Sequence, residues 1–518
     1  MQALIALDIG TTRVKAALIE RSGRILFEDS RQYSLSVTAD RVEQEPEDWW
    51  TGSAAVLSSV ARHAERGSVA ALALTGQMQN LITLGSAGPT GRAILYSDMR
   101  AQEEAREVSR VIGAGELQRR TGNLQDASSL PAKILWLRAH DPRRFAESRK
   151  LLFGAHDYVA WKLAGVAATD FTTLSTTGLL DLAANAYAFD LTDSLGIPQS
   201  LFPGVVAADH VDGGLGENAA RLLGLPSGIP VFHGAGDAGS TTVGAGAGIP
   251  GALSCYLGTS GWIAASSAGG CADPGTGIFN LRHPDGVSLI HVGPMLLATG
   301  NVDWTIETLE KPLAGRAAGI DSADRYASFT REAGSAPAGS GRLLYLPWLV
   351  GERSPFRDPA ARGAFFGLSR ATTRAEMHRA VLEGVAFAMK SIHEAMPAED
   401  GVRVRRLSLS GGGARSPLWP HVFADVFGCE VTVSERASIA GLIGAFVIAA
   451  RGLGWLDGWL PPQECMGRET VFRPRAENQA VYDRQYGVFR GLYPALRGSF
   501  AALAKLDSTD RSGTDSRT

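Results

Sequence analysis

Cysteine is nearly missing from this sequence: four residues in 518, at Cys255, Cys271, Cys429 and Cys465, with no CxxC pair and no metal-ligand spacing. That excludes a disulfide framework and a zinc ribbon, and predicts four buried small hydrophobes in a reducing compartment. An excess of one charge is missing too. Fifty Lys and Arg against 53 Asp and Glu leave a formal charge of −3 and no basic block, so nothing offers a footprint for nucleic acid or an anionic membrane. Long apolar runs are also absent. The greasiest stretch, Ala437 to Ala450, falls short of the about 20 residues that span a bilayer and carries two glycines, so it reads as a core helix. The apolar N-terminal segment is interrupted by Asp8 with no basic region before it, which is not a signal-peptide pattern. A cytoplasmic globular protein without nucleic-acid or membrane partners is expected. Its length is too great for one core and predicts two domains of roughly 200–250 residues.

What is present is one plan, written twice. In the first half, Ala3 to Leu7 is a strand, Asp8 to Thr12 a turn, Val14 to Glu20 a returning strand and Arg24 to Glu28 a third. Pro46, Glu47 and Asp48 start a helix that runs to about Arg66. The strand Val69 to Leu74 then leads into Thr75-Gly76-Gln77-Met78-Gln79-Asn80. In the second half, Ala252 to Leu257, the turn Gly258-Thr259-Ser260-Gly261 and Trp262 to Ala265 repeat the opening. A helix over Arg374 to Ala395 and a strand over Arg406 to Leu409 repeat the rest. The expected division is residues 1–245 and 246–495, with a small-residue loop at Gly334 to Gly341 and a polar, disordered tail at 506–518.

Glycine turns mark the places where chemistry could sit. Gly10-Thr11-Thr12 and Gly258-Thr259-Ser260 each end a strand with free backbone N–H groups and hydroxyls. Each is either an ordinary hairpin turn or, as a matched pair, a cradle for the phosphates of a nucleotide held between the halves. Ser410-Gly411-Gly412-Gly413-Ala414-Arg415 leads to Ser416, a good N-cap, and Pro417, a good first helical residue. This loop is either a close strand–helix contact or a nucleotide-binding loop. No Walker loop is present. In mid-chain, Gly234 to Gly246 holds a single charge, Asp237, which either caps its own turn or faces a small polar ligand. Phosphoryl transfer to an alcohol needs a base and a carboxylate for Mg2+, and Asp237 and Asp8 are the acids lodged in these turns. Trp49 and Trp50 are expected in a core, and His156-Asp157, lacking a matched nucleophile, in a structural role.

These landmarks resemble the FGGY carbohydrate kinases, most of all their xylulokinase branch, from Ala3 to about Pro494. The likeness is carried by LDIGTT (Leu7 to Thr12), EPEDWW (Glu45 to Trp50), GQM (Gly76 to Met78) and TGN (Thr121 to Asn123). It continues through GAGDA (Gly234 to Ala238), LGTSG (Leu257 to Gly261), LPWLVGERSP (Leu346 to Pro355), the long run Gly363 to Ala388 and SGGGARS (Ser410 to Ser416). A looser signature surrounds Lys133 to Trp136, with Leu130 and Ala139 off pattern. The resemblance implies an α/β, two-domain actin-like (ribonuclease H-like) fold with an interdomain cleft, and an enzyme that moves the γ-phosphoryl of ATP to a sugar hydroxyl. It implies ATP on Gly10, Thr11, Thr12, Gly258, Thr259, Ser260, Gly300, Gly411, Gly412, Gly413 and Arg415. Asp237 becomes the base, Asp8 and Asp237 the Mg2+ side, and Gln77, Met78, Gln79, Tyr96, Asp98 and Asp237 the sugar side. A homodimer is expected. Gln79 stands where the branch has His, and Ala238 where it has Asn, so D-xylulose is the first expectation and another ketose such as ribulose, a polyol or an aldonate such as gluconate the second. The alternatives of another class are an actin-like ATPase and a non-catalytic sugar-binding protein.

Overall fold

The computed structural model of the chain describes residues 2–38, 41–309, 322–398 and 402–510. In the first half the elements are β1 (Ala3–Ile9), β2 (Arg13–Glu20), β3 (Ile25–Gln32), α1 (Pro46–Ala61), β4 (Val69–Gly76), α2 (Ala155–Ala164), β5 (Pro230–Gly236) and α3 (Asp237–Thr242). In the second half they are β6 (Ala252–Leu257), β7 (Gly261–Ser267), β8 (Leu289–Met295), α4 (Arg374–Glu394), β9 (Arg406–Ser410), α5 (Trp419–Phe427), β10 (Glu430–Ser434) and α6 (Ala440–Gly452).

The first sheet runs β5-β4-β1-β2-β3 with an edge strand, Val211–Gly214, beside β5. The second runs β10-β9-β6-β7-β8, with Glu469–Phe472 beside β10 and Phe279–Arg282 beside β8. The order is the same in both, and so are the senses. An antiparallel three-strand meander is joined by two parallel strands, which is the duplicated ribonuclease H-like unit of the actin-like fold. Sequence texture follows position. Central β1 is apolar almost throughout and buried, whereas edge β3 alternates and faces water on one side.

α1 starts at Pro46 with Glu47 and Asp48 in its first turn, as expected, but stops at Ala61, before turns through Gly67 (φ 77°) feed β4. Trp49 is sealed in the first core, and Trp50 packs at its edge. Ser416 and Pro417 do not open the helix as expected: a short 3-10 turn, Gly413–Arg415, comes first, α5 begins at Trp419 with Leu418 at its N-cap, and Ser416 Oγ accepts from the Trp419 N–H at 3.2 Å ahead of it. Cys271 is exposed, whereas the other three cysteines are buried as predicted. The Gly334 to Gly341 loop is shorter than expected, because a helix, Ser322–Ser335, and a 3-10 turn, Ser340–Arg342, occupy its ends. A last helix, α7 (Ala476–Asp510), carries the chain into the stretch expected as tail, whose residues 511–518 lie outside the described residues. No described helix is long and apolar enough to cross a membrane.

The two halves are joined by an exchange. The run Ala437 to Ala450 is a buried helix as expected, α6, yet it packs on β1, β4 and β5 of the first sheet. Leu442, Ile443 and Phe446 share a core there with Leu4, Ala6, Ala71 and Ala73, whose small side chains admit the helix. In return, the π-helical turn Val243–Ala247 that continues α3 lies against β6, β7 and β9. Where α3 and α6 cross, a Cβ on Gly244 would overlap the Ala440 carbonyl, and one on Gly444 would overlap that of Ser240. Glycine is required at both positions for the two backbones to meet.

Candidate active site

Parallel strands place their C-terminal ends on one edge. In register, Asp8 of β1 lies beside Thr75 of β4, which lies beside Ala235 of β5. The Thr75 hydroxyl ties the last two strands by donating to the Ala235 carbonyl at 2.7 Å. Asp8 thus lies two strands away from β5, level with Ala235, and Asp237 follows two residues beyond that level, as Gln77 does on β4. Asp8 ends its strand rather than sitting in the turn, and Asp237 opens α3 directly after β5.

Both carboxyls are costly to ionise. Burial raises Asp8, and Lys15 partly offsets it. Burial and then the charge of Asp8 push Asp237 up to about 7, against the opposing pull of His156 and the Ala238 N–H. α6 backs onto Asp8, since a Cβ on Gly441 would sit 2.7 Å from its Oδ2. Lys15 reaches across from β2 and donates to the Ser438 carbonyl at 2.6 Å. Asp8, Lys15 and Ser438 open on a cavity of about 670 Å³ that also takes in Gly10, Thr11 and Thr12.

The Gly10–Thr12 turn is braced from behind. Gln44 Nε2 donates to the Thr11 carbonyl at 2.6 Å, and its Oε1 accepts from Gln77 Nε2 at 2.8 Å and Trp49 Nε1 at 3.0 Å. Gln77 is therefore turned into the protein, 1% exposed, with its amide NH2 on Gln44, the residue that braces the Gly10–Thr12 turn. Asp98 is likewise sealed: its carboxylate accepts from Arg100 and from the Val42 N–H, and it faces no cavity.

Of the other expected sugar-side residues, Gln79 and Tyr96 share one cavity, of about 380 Å³ between the domains, and Met78 and Asp237 are not in its lining. Gln79 holds a left-handed backbone (φ 62°), rare outside glycine and asparagine, with its amide 3.3 Å from Ser128 Oγ. Met78 is buried, packed with Ala264, Leu281 and Ile290 of the second half and with Ala238 beside them. The sequence reading missed Asp126, Ser128, Arg353 and Arg357, which complete this wall. They follow within a few residues of TGN and GERSP, so proximity to those landmarks was the available signal.

On the far side, the Gly258–Ser260 turn is stapled to the helix Thr299–Leu309. Thr259 O accepts from the Ala298 and Gly300 N–H groups at 2.7 and 3.1 Å, and Gly258 O from Thr299 at 2.9 Å. Gly300 serves that staple. Gly411 (φ 87°) and Gly413 press on Leu257, whereas a Cβ on Gly412 would meet nothing closer than 4.0 Å. Gly412, Gly413 and Arg415 line a cavity of about 430 Å³ with Thr299, Tyr326 and Trp419.

Comparison with known proteins agrees with this geometry. The N-terminal domain profile of the FGGY family of carbohydrate kinases matches residues 3–244, and the C-terminal domain profile matches residues 253–453. Xylulose kinase of Bacillus subtilis (strain 168) is 28% identical over 510 residues, covering 97% of this chain and 99% of that protein. Glycerol kinase of Thermus brockianus is 31% identical over 499 residues, covering 93% of this chain and 97% of that protein. The crystal structure of xylulose kinase from Rhodospirillum rubrum superposes with a TM-score of 0.85 at 29% identity, over 96% of this chain and 100% of that one. With both domain profiles matched in order, the chain belongs to the FGGY family of carbohydrate kinases, enzymes that phosphorylate a sugar at the expense of ATP.

Proposed function

We propose that the enzyme phosphorylates D-xylulose, with Asp237 as general base and Asp8 on the metal side. The observation that carries the roles is the carboxylate pair itself: burial, and then the neighbouring charge of Asp8, push Asp237 up to about 7, the range in which a base exchanges protons readily near neutral pH. The sugar lies against Met78, Gln79 and Tyr96, and its reacting hydroxyl gives its proton to Asp237 as its oxygen bonds to the γ-phosphorus and the bond from that phosphorus to the β,γ-bridging oxygen breaks, ADP leaving with the electron pair. The Gly10–Thr12 and Gly258–Ser260 turns hold phosphates on backbone N–H groups, while Gly411 to Gly413 and Arg415 take the nucleoside end. The acid pair suits Mg2+, a hard cation that takes one or two carboxylates, and when bound it neutralises charge on the phosphates.

D-xylulose rests on the xylulose kinases among the relatives. A second reading, a polyol, has support in the glycerol kinase relative and in Ala238, which offers the sugar no side-chain hydrogen bond. A coupled ADP-release screen over pentuloses, hexuloses, polyols and aldonates decides between them. D-xylulose is expected to give the highest kcat/KM. A higher value for glycerol or another polyol overturns the substrate and leaves the chemistry standing.

A further inference from the structure

Below the end of β5 lies a second cluster of polar side chains that phosphoryl transfer does not use. His156 and Asp157 open α2, Asp170 ends the short strand Ala168–Asp170, and His233 lies within β5. All four are 0% exposed. His156 Nε2 lies 2.9 Å from Asp170 Oδ2 and 3.2 Å from Asp157 Oδ1, and His233 Nε2 lies 3.2 Å from the same Asp157 oxygen. One ligating atom from each residue falls within 4.8 Å of all the others.

The far sides of His233, Asp157 and Asp170 are held as an outer shell would hold them. His233 Nδ1 faces Asp212 Oδ2 at 2.7 Å, the carboxylate–histidine pairing that fixes a ligating ring. Asp157 Oδ2 accepts from the Phe153 and Gly154 N–H groups at 3.0 and 2.9 Å, and Asp170 Oδ1 from Thr173 at 3.0 Å. Three carboxylates are thereby sealed from water around two imidazoles, an arrangement that demands positive charge at its centre. His156 Nδ1 and Asp212 Oδ1 remain buried without a partner.

We propose that His156, Asp157, Asp170 and His233 bind one structural divalent cation, zinc by the chemistry of the set. Two imidazole nitrogens and two carboxylate oxygens suit zinc rather than Mg2+ or Ca2+, and a four-ligand sealed site is structural rather than catalytic. The separations of 2.9 and 3.2 Å approach the about 3.3 Å edge of a tetrahedron with bonds of 2.0–2.1 Å. Such an ion ties α2 to β5 and to the strand Ala168–Asp170. Through Asp170, whose Oδ1 also accepts from the Gly236 N–H at 3.4 Å, it steadies the residue that precedes Asp237. This site is separate from the Asp8–Asp237 pair and does not depend on the sugar.

Metal analysis of the full chain tests it without reference to activity. Protein purified without added metal and dialysed against EDTA is expected to retain zinc at one equivalent per chain by mass spectrometry. Growth on cobalt should give the intense visible bands of tetrahedral Co2+ without a thiolate charge-transfer band. His233→Gln together with His156→Gln should lose the metal; if that variant does not fold, the wild-type content and cobalt spectrum decide alone. Folded wild-type protein with substoichiometric metal overturns the proposal, as does full metal content in a folded double variant, and the cluster is then a doubly protonated ion network.

Discussion

Asp237 is pulled two ways, because the environment that makes it a useful base also makes its charge expensive to keep. Its folded value of about 7 lies above the ordinary 3.8, so between those values the fold holds a proton that the unfolded chain has released. Stability from this group is therefore fully present at low pH and is lost as pH rises toward 7. Asp237→Asn is expected to lower kcat by about 10²–10⁴ while melting higher than wild type at pH 8, with the gap closing toward pH 5. Near-normal turnover in that variant would remove Asp237 from the role of base. In the wild type, kcat/KM for sugar should fall as pH drops below about 7, since the protonated carboxyl cannot accept. Specificity is argued at the same scale. Gln79→His with Ala238→Asn restores hydrogen-bonding groups to the sugar wall and should favour D-xylulose over other sugars by about 1–3 kcal/mol in transition-state binding. An unchanged preference would shift attention to Asp126 and Arg357. Asp237 and Asp8 could be read from sequence because each is a lone acid in a glycine-rich strand end. Asp98 and Gln77 could not be placed, since their partners, Arg100 with the Val42 N–H and Gln44, are set by how separate strands meet.

Elements were legible wherever local chemistry alone decides them: Pro46 at a helix start, the long helix from Arg374, the paired meanders. The helix α6 shows where legibility ended. Its composition announced a buried helix, but composition does not say which sheet buries it, and Gly441 and Gly444 acquire their meaning only once Asp8 and Ser240 lie opposite. The crossing of α3 and α6 should therefore resist any side chain. Gly444→Ala is expected to cost about 1–3 kcal/mol in urea denaturation, the usual range for overpacking a tight contact. Gly115→Ala, in a helix where a Cβ meets nothing within 4 Å, should be neutral or stabilising by up to about 1 kcal/mol. Equal losses at the two positions would mean that the crossing is slack.

Across the whole molecule, the halves meet in two ways. Around Asn280 they are clamped: its N–H donates to Asn123 Oδ1 at 2.8 Å, its side chain to the Gly122 carbonyl at 2.6 Å, and Asn123 Nδ2 to the Asn280 carbonyl at 2.9 Å. Across the sugar cavity the contact is loose, with Arg357 and Asp126 exposed and 4.0 Å apart. Closure should pivot on the clamp and bring the two phosphate turns together over the substrates, excluding water from the reaction. Small-angle scattering with sugar and a non-hydrolysable nucleotide is expected to show a smaller radius of gyration than the free protein; identical curves would sink the idea. The exchange of α3 and α6 bears also on how the chain is made. On a ribosome the strands of the first sheet emerge early, but the helix that covers Leu4, Ala6, Ala71 and Ala73 comes from residues 440–452. At about 5–20 residues per second, that apolar face waits roughly 10–40 s after α3 has emerged before its cover is synthesised. During that interval the nascent first half is a sheet with one greasy side, a natural client for a chaperone, and a messenger truncated after codon 245 should yield an aggregating or degraded fragment rather than a folded domain.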